Sequence, residues 1–183
     1  RAATIPSEKD GLAFIVRGHN RRWENLEELV RVAKRVAHKR DVVTIQPQRV
    51  QFRQLISMLQ SPRISIAAGV SGAGVTNFMF LRPGSVVLFV IPLGTNGYTH
   101  HSYGFLLPAS GIHFVNVCRG VWGPQSTEGW SGTEDEESRL AKDTDVRIDP
   151  KHFVKALRVA DQLLRENVGI AADAPGKRKV VLP

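Results

Sequence analysis

Ile64-Ser65-Ile66-Ala67-Ala68-Gly69-Val70-Ser71-Gly72-Ala73-Gly74-Val75-Thr76-Asn77 is the stretch that decides how this chain folds. Its first five residues form a short apolar run, as carried by a strand buried on both faces. The run leads straight into Gly69, Gly72 and Gly74. Glycines there let the backbone turn sharply and let a ligand approach the main chain closely. A short helix is predicted next, over about residues 75–80. A helix begun inside such a loop points its free N–H groups outward, and its dipole favours an anion such as a diphosphate. Ser71, Thr76 and Asn77 add hydrogen-bonding side chains, and Ala73 keeps the loop small. The same spacing also suits a tight strand-to-helix turn packed closely with small residues, and spacing alone does not choose. The pattern is neither GxGxxG after the first strand nor the GK[ST] of a P-loop. A dinucleotide oxidoreductase or an ATPase is therefore poorly supported.

Outward from this segment, apolar runs alternate with helical periodicity. Leu12-Ala13-Phe14-Ile15-Val16 reads as a buried first strand. Leu26, Leu29, Val30, Ala33, Val36 and Ala37 then recur at helical spacing, with Glu27, Glu28, Arg31, Lys34 and Arg35 on the other face. Val42-Val43-Thr44-Ile45 is a second strand, and Phe52, Leu55, Ile56 and Leu59 mark a second helix limited by Pro62. Past the glycine loop, Pro83-Gly84 signals a turn before a fourth strand over residues 86–91. A fifth is predicted over residues 112–117. Residues 119–145 are rich in Gly, Ser, Thr and acids without apolar period, so they read as a long polar loop. Asp149-Pro150 supplies a cap and first-turn proline for a closing helix striped by Phe153, Leu157, Ala160 and Leu164. Residues 175–183 read as a basic tail. The alternation predicts one α/β domain over residues 1–183, a doubly wound and mainly parallel sheet with flanking helices.

A second anion-suited element follows the first strand. Arg17-Gly18-His19-Asn20-Arg21-Arg22 emerges at the carboxyl edge of the sheet, where ligands sit in open α/β folds. Arginine makes bidentate contacts with phosphate. A solvated basic turn is the bland alternative. Two such elements on one edge together point to a diphosphate clamp.

Composition narrows the partners without choosing one. The net charge of +8 attracts polyanions in general, including nucleic acids, anionic membranes and nucleoside diphosphates. Aromatic residues interleaved with basic ones, as nucleic-acid stacking needs, are sparse, so no nucleic acid is expected and a basic nucleic-acid-binding protein is the least favoured alternative. One cysteine, Cys118, excludes an internal disulfide framework and a cysteine-rich zinc site. His100 and His101 have no acidic residue nearby, and no metal site is expected. Glu134-Asp135-Glu136-Glu137 is a solvated acidic cluster rather than an opposed acid–base pair. No apolar run approaches the ~20 residues of a membrane span.

These residues, in this order, resemble glycosyltransferase family 61. The resemblance rests on Arg17, Arg21, Arg22 and Asn25, on Phe52 and Gln54, and on Gly72-Ala73-Gly74-Val75-Thr76-Asn77 with Phe80 and Pro83-Gly84-Ser85. Pro92 and the closing helix also fit, so it covers about residues 12–117 and the last helix. It implies a Rossmann-like, C-terminal lobe of a GT-B fold that binds a nucleotide-sugar donor, UDP-linked, for transfer to a glycan or glycoprotein acceptor. It also implies a Golgi or secretory lumen, no cofactor, no obligatory metal, and an N-terminal lobe lying outside this chain that supplies the catalytic base. On this resemblance Asn25 and Gln54 join Arg17, Arg21, Arg22, Gly69, Ser71, Gly72, Ala73, Gly74, Thr76 and Asn77 as donor-binding residues. Three positions depart from the family pattern. Ser71 stands where a His is usual, Arg53 where a Glu is common, and Phe89 where a fourth-strand Glu suits a ribose. Phenylalanine cannot accept a ribose hydroxyl, and serine can hydrogen-bond phosphate but carries no charge. A non-catalytic relative that binds a glycan or a protein is the alternative these departures favour.

Overall fold

A computed structural model describes residues 11–19, 21–36, 40–91, 110–118, 145–167 and 179–181. Its elements run β1 (Gly11–Ile15), α1 (Leu26–Val36), β2 (Val42–Ile45), a 3-10 turn (Pro47–Arg49), α2 (Phe52–Leu59) and β3 (Ile64–Val70). A 3-10 helix (Ala73–Phe80), β4 (Val86–Ile91), β5 (His113–Cys118), α3 (Pro150–Asn167) and β6 (Lys179–Val181) follow. The sheet has six strands in the order β2-β1-β3-β4-β5-β6. Every neighbouring pair is parallel. The predicted α/β class, with a parallel sheet and flanking helices, is the observed one.

Alternation along the strands builds two cores. Leu12 and Phe14 of β1, Ile66, Ala68 and Val70 of β3 and Leu88 and Val90 of β4 share one face with Leu29 and Ala33 of α1 and Phe153, Leu157 and Ala160 of α3. Ala13, Ile15, Ala67, Val87 and Phe89 face the other way, against Leu55 and Leu59 of α2 and Val75 and Phe78 of the 3-10 helix. With both faces covered, the central strands hold no exposed position, which is why they read as continuous apolar runs. Gly69 belongs to this packing. A Cβ added there would lie 2.5 Å from the Phe78 ring, so the missing side chain makes room for a core aromatic.

Two expectations need correction. The glycine-loop helix begins at Ala73 and is of the 3-10 type, with Val75 N–H donating to the Gly72 carbonyl at 2.9 Å. Lys179–Val181, expected within a basic tail, instead forms β6 against β5. Three residues are too few to show a period, so composition outweighed the Val-Val pair. Asp145, placed at the end of the polar loop, is ordered, and Val146 and Ile148 beside it are fully buried. The rest of that loop, His100, His101 and residues 175–178 lie outside the described residues.

The Asp149 cap is as expected, its Oδ1 accepting the Lys151 N–H at 2.8 Å. The strand order fixes where a site belongs. β1 is flanked by β2 and β3, so successive connections leave it in opposite directions and open a crevice beyond the carboxyl ends of β1 and β3.

Candidate functional site: an arginine cleft at the carboxyl edge

Register brings the two anion-suited elements together. Ile15 pairs with Gly69, so continuing the two strands sets Arg17 beside Ser71. Ser71 is buried, and its backbone N–H donates to the Val90 carbonyl at 2.7 Å, tying the loop to β4. Arg21 Nη1 donates to the Ser71 carbonyl at 2.6 Å, a charge-assisted bond linking the two loops.

Gly72 lies at the centre. Its φ of 139° is in a region that side chains with a Cβ rarely enter. A Cβ there would meet Arg21 Nη1 at 2.5 Å and Arg17 Nη1 at 2.7 Å, so both guanidinium groups flank the same backbone. Arg17 is half-buried, and it has no ion pair or hydrogen bond among the described residues. Two like charges held this close disfavour each other unless an anion lies between them. Gly74 differs from Gly69 in that a Cβ there would meet nothing within 4 Å. Thr76 is exposed on the next turn, and Asn77 Nδ2 donates to the Gly74 carbonyl at 2.9 Å. Ala73 lies in the first turn of the 3-10 helix.

The remaining expected residues take other positions. Arg22 pairs with Asp145 through Nε at 3.0 Å and Nη2 at 2.7 Å, and its backbone N–H donates to Asp145 Oδ1 at 2.8 Å. These bonds hold the Asp145 carboxyl below its ordinary range and raise the Arg22 guanidinium above its own. Asn25 is buried and faces inward. Its Nδ2 donates to the Ile148 carbonyl at 2.8 Å and to Glu28 at 3.0 Å, while Oδ1 accepts the Ile148 N–H at 3.2 Å. That amide is used up in joining the start of α1 to the approach of α3. Gln54 is exposed on the first turn of α2, beside Phe52, whose ring meets Phe80 edge-on at 5.4 Å. Phe89 is buried within the core on the α2 side.

Sequence reasoning missed two residues. Gln48, on the turn after β2, packs on the Arg17 loop, its Nε2 lying 2.7 Å from where a Gly18 Cβ would stand. Asp145 was absorbed into the polar loop. The signal that could have found it is the alternation Asp145-Val146-Arg147-Ile148, a two-residue period just before the Asp149 cap. Among the described residues, no three His, Cys, Asp or Glu side chains gather as metal ligands, and no helix is long and apolar enough to cross a membrane.

The glycosyltransferase 61 family model matches residues 4–88, which contain Arg17, Arg21 and the whole glycine loop. The match takes in just under half of the chain. Over 99 residues the chain is 30% identical to the xylan glycosyltransferase MUCI21 of Arabidopsis thaliana. That alignment takes in 54% of this chain but 19% of the Arabidopsis protein, so the chain spans about a fifth of that relative's length. Both matches support a glycosyltransferase-like character for this segment. The matched range contains both arginines and the glycine loop they flank.

Proposed function

We propose that the cleft binds the diphosphate of a nucleotide-sugar donor, UDP-linked, and that the whole protein transfers the sugar to a glycan or glycoprotein acceptor. The observation carrying this reading is the convergence of Arg17 and Arg21 on the Gly72 backbone at the topological switch point. Arg17 has no anionic partner among the described residues, and Gly74 leaves space where a side chain would fit. A leaving diphosphate gains negative charge as the glycosidic bond breaks. Fixed cations and loop amides aimed at that charge lower the barrier because they need no reorganisation when it appears. Arg17, Arg21 and the amides of the Gly72–Gly74 turn fill that part. The reading includes a GT-B arrangement, with this lobe holding the donor and a second lobe supplying the catalytic base. It places the work in a Golgi or secretory lumen, consistent with an acceptor of the kind in the Arabidopsis relative's name.

Calorimetric titration with UDP and with GDP tests it. Saturable UDP binding that Arg17→Ala weakens about tenfold is the expected result, from the loss of one charge-assisted contact. A folded chain that binds neither nucleotide would overturn it.

Phe89 favours a second reading, a binding module without turnover. A buried phenyl ring stands where the resemblance calls for a ribose-accepting carboxylate. Release of UDP from a UDP-sugar by the whole protein, above the rate of an Arg17→Ala variant, would count against that reading.

A further inference from the structure

Arg21 is the one described residue other than glycine with positive φ, at 61°. A side chain with a Cβ enters that region at a cost, and stays there when its neighbours over-determine the backbone. Backbone bonds fix the chain on both sides of Arg21. On the strand side, Val16 N–H donates to the Ile45 carbonyl at 2.8 Å. On the helix side, most of the bonds among the described residues come from residues 145–148. Asp145 takes the backbone N–H and both Nε and Nη2 of Arg22. Val146 N–H donates to the Arg22 carbonyl at 2.8 Å, and the Val146 carbonyl accepts the Glu24 N–H at 2.9 Å. Trp23 and Val146 form a parallel bridge. The Trp23 indole then turns back to the Ile15 carbonyl at 3.2 Å and packs edge-on against Phe14. The left-handed kink at Arg21 thus lies between two clamps, and it aims the guanidinium at Ser71 and Gly72.

We propose that Asp145 is a positioning residue for the arginine cleft, fixing Arg22 so that Arg21 keeps the left-handed backbone that presents its guanidinium to the glycine loop. Asp145 touches no ligand in this account and acts through the backbone of Arg22. The consequence for binding rests on the donor-site reading above, whereas the consequence for Arg21 does not.

The test uses the full chain with arginine isotope labels, in Asp145→Asn, Asp145→Glu and Asp161→Asn forms. Asp161 pairs with Arg40 elsewhere and serves as a control for losing an ion pair. The guanidinium protons of Arg21, bonded to Ser71 in the wild type, are followed by NMR, and UDP affinity by calorimetry. In Asp145→Asn the Arg21 protons are expected to lose protection from exchange, with UDP binding weakened about fivefold, as for one misplaced charge-assisted contact. Asp145→Glu restores part of both, and Asp161→Asn changes neither, whatever either does to the melting temperature. Arg22→Gln gives a second approach to the same clamp if Asp145→Asn does not fold, with the same loss expected. Arg21 protons and UDP affinity that stay at wild-type values in these variants, or fall equally in Asp161→Asn, would overturn the proposal. Loss of Arg21 protection in a chain whose wild type binds no UDP would support the positioning role while sinking the donor-site reading.

Discussion

The loop after β1 divides into two halves that look alike in sequence and differ in what they are bonded to. In residues 22–25, three of the four side chains have a partner within the chain. Arg22 is held by Asp145, Trp23 by the Ile15 carbonyl, and Asn25 by both backbone groups of Ile148. In residues 17–21 the two arginines converge on a glycine backbone, and one of them has no bond among the described residues. The difference separates scaffold from site. Buried polar groups in folded proteins are satisfied, so groups that look spent belong to the architecture. A half-buried cation with no bond among the described residues, beside another cation, is one that an anion would stabilise.

That division can be broken from either side. Gly72→Ala has the largest expected effect, because it strains the backbone and strikes both arginines of the site half. The unfavourable φ alone costs about 1–3 kcal/mol, and the new methyl displaces both guanidinium groups. Denaturant unfolding and UDP titration are both expected to show loss, and a variant with wild-type stability and affinity would mean the cleft is not packed this way. Asn25→Ala comes next, and its effect falls on stability. Leaving the Ile148 groups unpaired costs about 1–3 kcal/mol, measurable as a lower denaturation midpoint, with UDP affinity of the folded chain unchanged. A large loss of affinity without a loss of stability would move Asn25 into the site.

Arg17→Ala is expected to do the reverse. UDP affinity falls about tenfold while stability changes by less than about 0.5 kcal/mol, since the side chain forms no bond to lose among the described residues. An equal loss of stability would mean that Arg17 is scaffold after all. The smallest effect is that of mild acid on the Arg22–Asp145 pair. The folded carboxyl sits below its ordinary value, so the pair's contribution is complete above the unfolded carboxylate pKa of about 3.9 and is lost only as pH falls through the lower folded value. Even at the unfolded value itself, about 3.9, the Asp145 side-chain carboxyl-carbon shift should therefore stay nearer its ionised than its protonated position. Titration at or above the ordinary range would show that the clamp is not formed.

Much of this was legible in the residues because it depends on periodicity. β2, α2 and β4 lie at their expected bounds, since their apolar patterns are uninterrupted and their ends are marked by Asp41, Pro62 and Pro83-Gly84. The meeting of Arg17 with the glycine loop could be inferred because both elements follow parallel strands and so emerge on one edge. What sequence could not do was separate Arg17 and Arg21 from Arg22 and Asn25. All four share one short basic segment, and the partners that divide them lie 123 residues further on for Arg22 and Asn25. Nor could it distinguish Gly69 from Gly74. One glycine accommodates an aromatic ring and the other faces open space, a difference decided by Phe78 and by the path of the 3-10 helix.

The bond from Arg21 to Ser71 spans 50 positions of sequence, so the cleft has no counterpart in any short piece of the chain. A ligand that recognises it has nothing to recognise in the unfolded state. By mass action, such a ligand at a hundredfold excess over its Kd adds about 2.7 kcal/mol to the free energy of unfolding. The supply of donor would then set how long the domain survives as well as how fast it works. Occupancy and folding become two readings of one equilibrium.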